Sequence, residues 1–303
     1  DVLLSQEYPP IKVIGQGMFG IVYSSYGERN EIVAVKKVLL DSRYKNRELL
    51  IMKSITHAYN EIIKIREKEE TNNPKNFQSN INCCLLRACF QTKSYNKQKT
   101  YTNFVMDYLP MSLHQFNLSY RKSGNYPPLI YVKLFAFQLF SALHILHSIS
   151  ITHRDIKPQN ILIDKDKGVL KLCDFGSAKS LKPNEESLCY ISSRYYRAPE
   201  LLFEYPFYSS SVDIWAAGCS IVELLMAGIP LFQGDSSVNQ LLSILRVIGL
   251  PSNNDMMSIN KKLDFELPKK EEFQQTPLRS LLPRHTPEDL YELLVDIFKF
   301  NSS

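Results

Sequence analysis

Short apolar runs alternate with turn-forming residues over the first hundred positions. Residues 11–14 and 21–23 are apolar and flank a glycine-rich stretch, which predicts a strand, a turn and a second strand. Residues 33–36 predict a third strand, and residues 46–52 predict a short helix. The pattern therefore predicts a small, mainly β unit over residues 1–104.

A helical period replaces the strand pattern from Ser112 onward. Residues 129–151 are apolar on nearly every face of a helix, with single polar interruptions, which predicts a buried core helix and not a membrane span. Residues 212–226 predict another core helix, which Gly228 and Pro230 end.

The chain is thus expected to have an α+β fold in two lobes. The mainly β lobe covers residues 1–104, a hinge follows at residues 105–110, and a mainly α lobe covers residues 111–303. A length of 303 residues is enough for two separate cores. Residues 57–79 include a charged, asparagine-rich run that is too polar to bury, so we expect an exposed insertion between the helix and the fourth strand.

Composition narrows the classes of partner. The formal net charge of +5 is modest and includes candidate active-site cations, so we expect no nucleic acid and no membrane partner. The six cysteines form no metal-type C-x₂-C pair, and the sequence shows no signal-peptide pattern. We therefore expect free thiols and a location in the reducing cytoplasm, with the nucleus as a second expected location.

The glycine-rich stretch has the form of a phosphate-binding loop. Residues 15–22 read Gly-Gln-Gly-Met-Phe-Gly-Ile-Val, and glycine lets backbone N–H groups approach phosphate oxygens closely. A lone G-x-G-x-x-G occurs by chance in many chains. Here strands are predicted on both sides, whereas a dinucleotide-binding fold has a helix after the loop, so the context argues against NAD.

Lys36 and Glu48 are a candidate ion pair. A lysine at the end of an apolar strand can simply extend into solvent from the strand edge. Glu48 lies twelve residues later on the predicted helix, where a lysine that faces phosphates requires an acidic partner. We therefore expect the two side chains to meet.

Two polar loops follow predicted strands in the second lobe. Residues 153–160 read His-Arg-Asp-Ile-Lys-Pro-Gln-Asn, and residues 174–176 read Asp-Phe-Gly. The short strands predicted over residues 161–163 and 169–172 place these loops side by side.

The loops carry the groups that phosphoryl transfer needs. Asp155 would accept or orient the proton of an attacking hydroxyl, and Lys157 would meet the γ-phosphate. Asn160 and Asp174 would bind Mg²⁺. Transfer of the γ-phosphoryl group of ATP is the chemistry that this set predicts.

Read in order, Lys36, Glu48, residues 153–160, residues 174–176 and residues 198–200 have the spacing of protein kinases, which this chain resembles. The resemblance implies the bilobal protein kinase fold, ATP and Mg²⁺ as cofactors, and protein substrates. The positions expected to contact the nucleotide are Ile14, Gly15, Gln16, Gly17, Met18, Phe19, Gly20, Ile21, Val22, Ala34, Lys36, Met106, Asp107, Leu109, Gln159, Asn160, Leu162, Cys173 and Asp174. In this set, Met106 is expected to back the adenine, and backbone groups of Asp107 and Leu109 are expected to face its edge.

Residues 171–179 and 190–200 are similar to the shaggy/glycogen synthase kinase type within the cyclin-dependent, MAP and related kinases. A MAP kinase would show Thr-x-Tyr in the activation loop, and a cyclin-dependent kinase would show a different helix around Glu48. The resemblance implies a constitutively active serine/threonine kinase that prefers substrates already phosphorylated four residues C-terminal to the target.

The same resemblance implies a pocket for the priming phosphate and a modified tyrosine. Arg47, Arg154 and Lys179 occupy the positions of the three pocket cations, and Tyr190 occupies the position of an autophosphorylated tyrosine.

Four features depart from this family. The sequence begins at Asp1, without the serine-containing autoinhibitory segment, and residues 57–79 have no counterpart. It ends at Ser303, short of the arginine that pairs with the glutamate at Glu200, so we expect a truncated large lobe. Phe265 matches a residue that docks scaffold-protein helices, but its neighbours differ, so a core or surface-covering role for Phe265 is an equal alternative.

Two rival classes remain. A pseudokinase that acts as a scaffold would lack one of the phosphate-holding groups, and the sequence retains them all. A small-molecule kinase on a related fold is disfavoured by the segment that ends in Ala198-Pro199-Glu200 and by the helical region after Leu231.

Overall fold

A computed structural model gives the structure over residues 8–17, 20–40, 47–69, 81–94, 98–182, 184–255, 267–269 and 273–300. The chain divides into two compact units, Asp1–Pro110 and Met111–Ser303. The division falls directly after the segment proposed as a hinge. The role of residues 105–110 as a hinge stays a prediction.

A five-stranded antiparallel sheet forms the first unit. Its strands are β1 (Lys12–Gly17), β2 (Gly20–Tyr26), β3 (Ile32–Leu39), β4 (Leu86–Lys93) and β5 (Thr100–Asp107), in the order β1-β2-β3-β5-β4. One face of the sheet buries Tyr23, Val33, Val35 and Val105. These β-branched and aromatic residues alternate along their strands, so they lie on one side of the pleated sheet.

The helix of the first unit is longer than the sequence pattern indicated. α1 runs from Arg47 to Glu69, so the first part of the predicted insertion at residues 57–79 is helical. Ile51, Met52 and Ile55 are buried and anchor the helix. The charged residues that follow suggested an exposed loop, yet glutamate, lysine and arginine are good helix formers on a solvent-facing helix. Residues 70–80 lie outside the described residues.

The second unit is mainly helical. Its helices are α2 (Leu113–Lys122), α3 (Leu129–Ser148), α4 (Pro199–Leu202), α5 (Ser211–Leu225), α6 (Ser237–Ile248), α7 (Leu278–Leu281) and α8 (Glu288–Ile297). Its short strands are β6 (Met111–Ser112), β7 (Ile151–Thr152), β8 (Ile161–Asp164), β9 (Val169–Leu172) and β10 (Lys179–Ser180). The strands form a β6-β8-β9 sheet and a β7-β10 ladder.

Helix α5 forms the centre of this unit, as its apolar pattern predicted. Nearly all of its residues are buried, and it packs against α2, α3 and α8. At Gly218, a Cβ atom would lie 2.7 Å from Ile297 Cγ2, so glycine is what permits the close approach of α8. Trp215 on α5 also packs against Phe232 and Phe298, with ring centroids 5.6 and 5.0 Å away.

Helix α3 packs into the core along one face, although its sequence is apolar on nearly every face. The buried face packs against α5 and β9. On the opposite face, Ile130 and Phe137 are 68% and 72% exposed. By length and composition α3 is apolar enough to cross a membrane, but a core helix passes the same test.

Gly20 is expected to be the stability-critical glycine of the β1–β2 hairpin. It has a φ of 141°, and a Cβ atom there would lie 2.0 Å from the carbonyl oxygen of Lys37. Gly20→Ala should therefore destabilise the fold by about 2 kcal/mol or more, because the hairpin must move away from β3. Gly15→Ala is the matched control, since its Cβ would meet Val22 at an ordinary 3.6 Å. Thermal unfolding of the two variants checks this, and equal melting temperatures would contradict it.

Candidate active site

The expected ion pair is present in the first unit. Lys36 lies on β3, and its Nζ atom is 2.7 Å from Oε1 of Glu48 in the first turn of α1. Both side chains are largely buried. A largely buried pair fixes the direction of the lysine side chain, as a group that binds phosphate oxygens requires.

The glycine-rich stretch covers the end of β1 and the start of β2. Gly17 pairs with Gly20 and Gln16 pairs with Ile21, which gives the predicted strand, turn and strand. The register shifts between Val13 and Gly15, so Ile14 occupies a β-bulge. Met18 and Phe19, which were predicted to contact the nucleotide, lie outside the described residues.

Of the other positions predicted to contact the nucleotide in this unit, Val22 on β2 is half-buried and four more are buried. Ala34 on β3 pairs with Met106 on β5, and both are buried. Asp107 and Leu109 follow and are buried as well. The carboxylate of Asp107 accepts hydrogen bonds from the Leu85 backbone N–H and from Arg87 Nε, at 3.2 and 2.8 Å. Any contribution of Asp107 to a nucleotide therefore comes from its backbone.

In the second unit, Asp155 lies at the centre of a polar network. Its Oδ2 atom accepts hydrogen bonds from Lys157 Nζ at 2.8 Å and from Asn160 Nδ2 at 3.0 Å. Its Oδ1 atom accepts hydrogen bonds from the backbone N–H and the hydroxyl of Ser193, each at 3.1 Å. Lys157 Nζ also donates to Ser193 Oγ at 2.9 Å. The network holds a carboxylate, a cation and a hydroxyl within one small volume.

Ser193 was not predicted from the sequence. It lies directly before the 3₁₀ turn Arg194–Tyr196, thirty-eight residues from Asp155, and nothing in the local sequence links the two. Its hydroxyl contacts both the Asp155 carboxylate and the Lys157 ammonium, so the segment that contains Ser193 forms part of the site.

Asp174 and Asn160 lie on the two loops that β8 and β9 carry. Pairing of Ile161 with Leu172 brings the loops together, and the Cys173 backbone N–H donates to Asn160 O at 2.9 Å. Asp174 has a left-handed backbone, with φ 62° and ψ 78°, which is uncommon for a residue other than glycine. Strained conformations of this kind cluster at functional sites.

The residues flanking these loops vary in exposure. Leu162 and Cys173, predicted to line the nucleotide site, are half-buried, whereas the side chain of Gln159 is exposed. The Cys173 carbonyl accepts a hydrogen bond from His153 Nε2 at 3.0 Å. The ring of His153 also packs edge-on against Phe175, with centroids 5.3 Å apart. His153 thus connects the loop of Asp155 to the loop of Asp174.

Asp213, on the first turn of α5, anchors the catalytic loop, by which we mean residues 153–160. This role was not predicted from the sequence. Its carboxylate is 1% exposed and accepts hydrogen bonds from the backbone N–H groups of His153 and Arg154, at 2.7 and 2.8 Å. His147 Nε2 lies 3.0 Å from the same carboxylate. An aspartate inside a predicted apolar helix is the signal that could have revealed it, because a buried carboxylate requires partners.

The three residues predicted to bind a priming phosphate have different surroundings. Arg47 is exposed on α1. Arg154 is buried, and its guanidinium donates to Ser177 O at 2.7 Å and to Tyr208 OH at 3.0 Å. Lys179 Nζ lies 2.9 Å from Glu185 Oε1. Arg154 and Lys179 thus lie in one region of the second unit, and each has a protein partner.

Tyr190 is accessible to modification. Its side chain is 80% exposed, and the guanidinium carbon of Arg197 lies 4.5 Å from the ring centroid. Arg197 also donates to Ile191 O and Ser192 O, and Arg194 donates to Asp235 O. Arg197 is therefore the cation that already contacts Tyr190.

Glu200 and Phe265 were predicted to have roles outside the chemistry, Glu200 as the partner of an arginine and Phe265 in docking a scaffold-protein helix. The carboxyl of Glu200 accepts a hydrogen bond from Ser211 Oγ at 3.3 Å, and burial raises its pKa. Phe265, the predicted docking residue, lies outside the described residues.

The residues present fit ATP and Mg²⁺. Glycine at positions 15, 17 and 20 removes the Cβ atoms at three positions of this stretch, so the backbone there can approach phosphate. Asp174 and the side-chain oxygen of Asn160 are the hard oxygen ligands that Mg²⁺ prefers. No group of three acidic, histidine or cysteine side chains gathers within the described residues. A site with few protein ligands is typical of Mg²⁺ held together with substrate phosphates.

The first unit thus holds an ion-paired lysine, and the second holds a carboxylate that accepts hydrogen bonds from Lys157 and Asn160. These are groups that transfer of a phosphoryl group from a nucleoside triphosphate requires. A sequence model of the protein kinase domain matches residues 8–303. The chain therefore belongs to the protein kinase family, and it transfers a phosphoryl group from ATP to proteins. The predicted two-lobed α+β kinase fold is confirmed, whereas the finer family type stays a prediction.

Asp213→Asn should weaken catalysis through the backbone of the catalytic loop. An asparagine presents one oxygen and an NH₂ group where the loop offers two N–H donors, so one donor loses its partner. We expect kcat for a peptide substrate to fall roughly tenfold or more, with faster amide hydrogen exchange at His153 and Arg154. Asp296→Asn, an exposed aspartate on α8, is the control. Unchanged exchange at both amides would refute the anchoring role.

Glu223→Gln should make stability less dependent on pH. Tyr196 OH donates to Glu223 Oε2 at 2.6 Å, and burial raises the pKa of Glu223 above its ordinary 4.5. A carboxyl with a raised folded-state pKa destabilises the fold as pH rises above about 4.5, because the buried group must ionise. The melting temperature of Glu223→Gln minus that of the wild type should therefore increase between pH 5 and pH 8. Tyr196→Phe keeps the carboxyl and should keep the pH dependence.

Proposed function

We propose that this protein kinase is a serine/threonine kinase of the shaggy/glycogen synthase kinase type, which prefers substrates already phosphorylated four residues C-terminal to the target hydroxyl. The observation that supports transfer to a serine or threonine hydroxyl is the network of Asp155, Lys157 and Ser193, in which a carboxylate and a cation lie 2.8 Å apart. The family type rests on the resemblance in sequence. A cytoplasmic and nuclear location belongs to the same proposal.

The network suits an aliphatic hydroxyl as the nucleophile. Asp155 is oriented by Lys157 and Asn160, so its carboxylate can accept or orient the hydroxyl proton during transfer. Lys157 places positive charge beside that base, where negative charge of the transferring phosphoryl group needs stabilisation. A serine or threonine hydroxyl is weakly acidic, so it depends on a base and a cation held side by side.

Other groups bind the nucleotide. Lys36, held by Glu48, supplies a fixed cation for the phosphates of ATP. Asn160 and Asp174 would hold Mg²⁺, which when bound neutralises charge on the phosphate oxygens. The backbone of the β1–β2 turn would cover the phosphates.

The preference for primed substrates rests on the resemblance, and the placement of two cations supports it. Lys179 on β10 pairs in register with Thr152 on β7, two residues before Arg154. Arg154 Nε donates to Ser177 O, two residues before Lys179. Arg154 and Lys179 therefore come from neighbouring segments, and a phosphate dianion there would compete with Glu185 for Lys179.

The proposal also includes phosphorylation of Tyr190 and two kinds of protein partner. A phosphate on Tyr190 would add negative charge beside Arg197, which already contacts the ring. Protein substrates that carry phosphate are the main partners. A scaffold-protein helix near Phe265 is a further partner, proposed from one matching residue.

Arg47→Ala should reduce the use of a primed peptide and leave an unprimed peptide almost unaffected. One charge-assisted bond to phosphate stabilises binding by about 1.5–3 kcal/mol, so kcat/KM for a Ser-x-x-x-phosphoserine peptide should fall roughly tenfold or more. The matched unphosphorylated peptide should change less than about twofold. Radiolabelled ATP assays with both peptides measure this.

Lys53→Ala is the control for charge on the same helix, because Lys53 is an exposed cation of α1. It should change neither peptide. An equal loss for both peptides in Arg47→Ala, or no loss for either, would remove the priming pocket from the proposal. A wild-type enzyme that uses both peptides equally well would do the same.

A further inference from the structure

The side chain of Asp107 forms hydrogen bonds within the protein. It is the last residue of β5 and only 6% exposed. Its two carboxylate oxygens accept hydrogen bonds from Leu85 N–H and Arg87 Nε. Both donors belong to the segment that enters β4, so the end of β5 is tied to its neighbour through a side chain as well as through the sheet ladder.

A β-bulge directs Arg87 toward that carboxylate. Leu86 pairs with Met106 and Ala88 with Val105, so β4 advances two residues while β5 advances one. The extra residue is Arg87. A bulge changes the direction of the side chain that it carries, and bulges are common beside active sites.

Glu31 holds the other side of the Arg87 guanidinium. Arg87 Nη1 lies 2.7 Å from Glu31 Oε1, and the Arg29 backbone N–H donates to Glu31 Oε2 at 3.0 Å. Hydrogen bonds from backbone amides and the nearby Arg87 charge keep the pKa of Glu31 below its ordinary value, so it is an anion at neutral pH. A Cβ atom at Gly27 would lie 2.8 Å from the Glu31 carboxyl, so the glycine leaves room for Glu31 to lie over this turn.

We propose that Arg87 is a positioning residue for nucleotide binding, because it fixes the end of β5 against the β2–β3 turn through Asp107 and Glu31. The inference rests on the proposed function in one respect, which is that the backbone of Asp107 faces the edge of the adenine. Arg87 itself touches no substrate. Its planar fork binds two carboxylates at once, which the single ammonium of lysine does less well.

The two ion pairs of Arg87 are expected to differ in how strongly they hold the end of β5. The Arg87–Glu31 pair is well exposed on both sides, and such pairs contribute little to stability. Asp107 is buried, so the Arg87–Asp107 pair is the stronger constraint, and its loss leaves a buried carboxylate with fewer partners. Removal of Arg87 should therefore displace the end of β5, whereas removal of Glu31 should loosen it slightly.

The test is a steady-state comparison of Arg87→Gln, Arg87→Lys and Glu31→Gln in the full chain, with ATP varied at a saturating concentration of protein or peptide substrate. In Arg87→Gln we expect KM for ATP to rise roughly five- to tenfold with kcat changed less than about twofold. Arg87→Lys should recover part of the loss, and Glu31→Gln should raise KM less than about threefold. Competitive inhibition by adenosine should weaken by the same factor as ATP binding, while inhibition by inorganic tripolyphosphate should not change.

Each other result overturns the proposal in a distinct way. An unchanged KM for ATP in Arg87→Gln rejects a positioning role. A parallel fall of kcat, both inhibitor affinities and the melting temperature shows a purely structural role. Weaker inhibition by tripolyphosphate with adenosine unaffected shows that Asp107 does not face the base. None of these outcomes depends on peptide priming, which the Arg47 experiment tests separately.

Discussion

The buried carboxylate of Asp213 holds the loop on which the chemistry depends. Backbone N–H groups of His153 and Arg154 both point at one aspartate on α5, which is the most deeply buried helix of the second unit. Arg154 has a φ of 67°, so the loop contains a conformation that a free chain rarely adopts. The hydrogen bonds to Asp213 offset that cost and aim Asp155 at the same time.

A second anchor on α5 holds the segment that carries Ser193. Tyr196, three residues later, donates a hydrogen bond from its hydroxyl to Glu223 in the buried part of the same helix. One helix therefore positions both halves of the Asp155 network. Since α5 is packed on nearly every side, movement of either half would disturb the core, and this links the geometry of the site to the stability of the unit.

In both units, the lysines of the candidate site form ion pairs with a nearby carboxylate. Lys36 has Glu48, Lys157 has Asp155, and Lys179 has Glu185, each at 2.7 to 2.9 Å. Each of these cations, which we propose to bind phosphate, is thus held in place by a carboxylate. The arrangement limits the rotamer entropy lost when phosphate binds. It also means that a phosphate at Lys179 would meet a resident competitor.

Motif spacing alone predicted the reaction and the Lys36–Glu48 pair, because phosphoryl transfer requires the same charged groups in any protein of this kind. It also predicted the two strands that flank the glycine-rich loop and the β8–β9 hairpin, because these depend on residues close in sequence. Local composition misled at residues 57–69, since charged residues suit both an exposed loop and an exposed helix. It also did not show which face of α3 packs into the core, because an apolar sequence does not say how many faces have a neighbour. The roles of Ser193, Asp213 and Arg87 were decided by tertiary structure alone. Their partners lie 38, 60 and 20 residues away in sequence, and only the packing of helices and strands brings such groups within hydrogen-bonding distance.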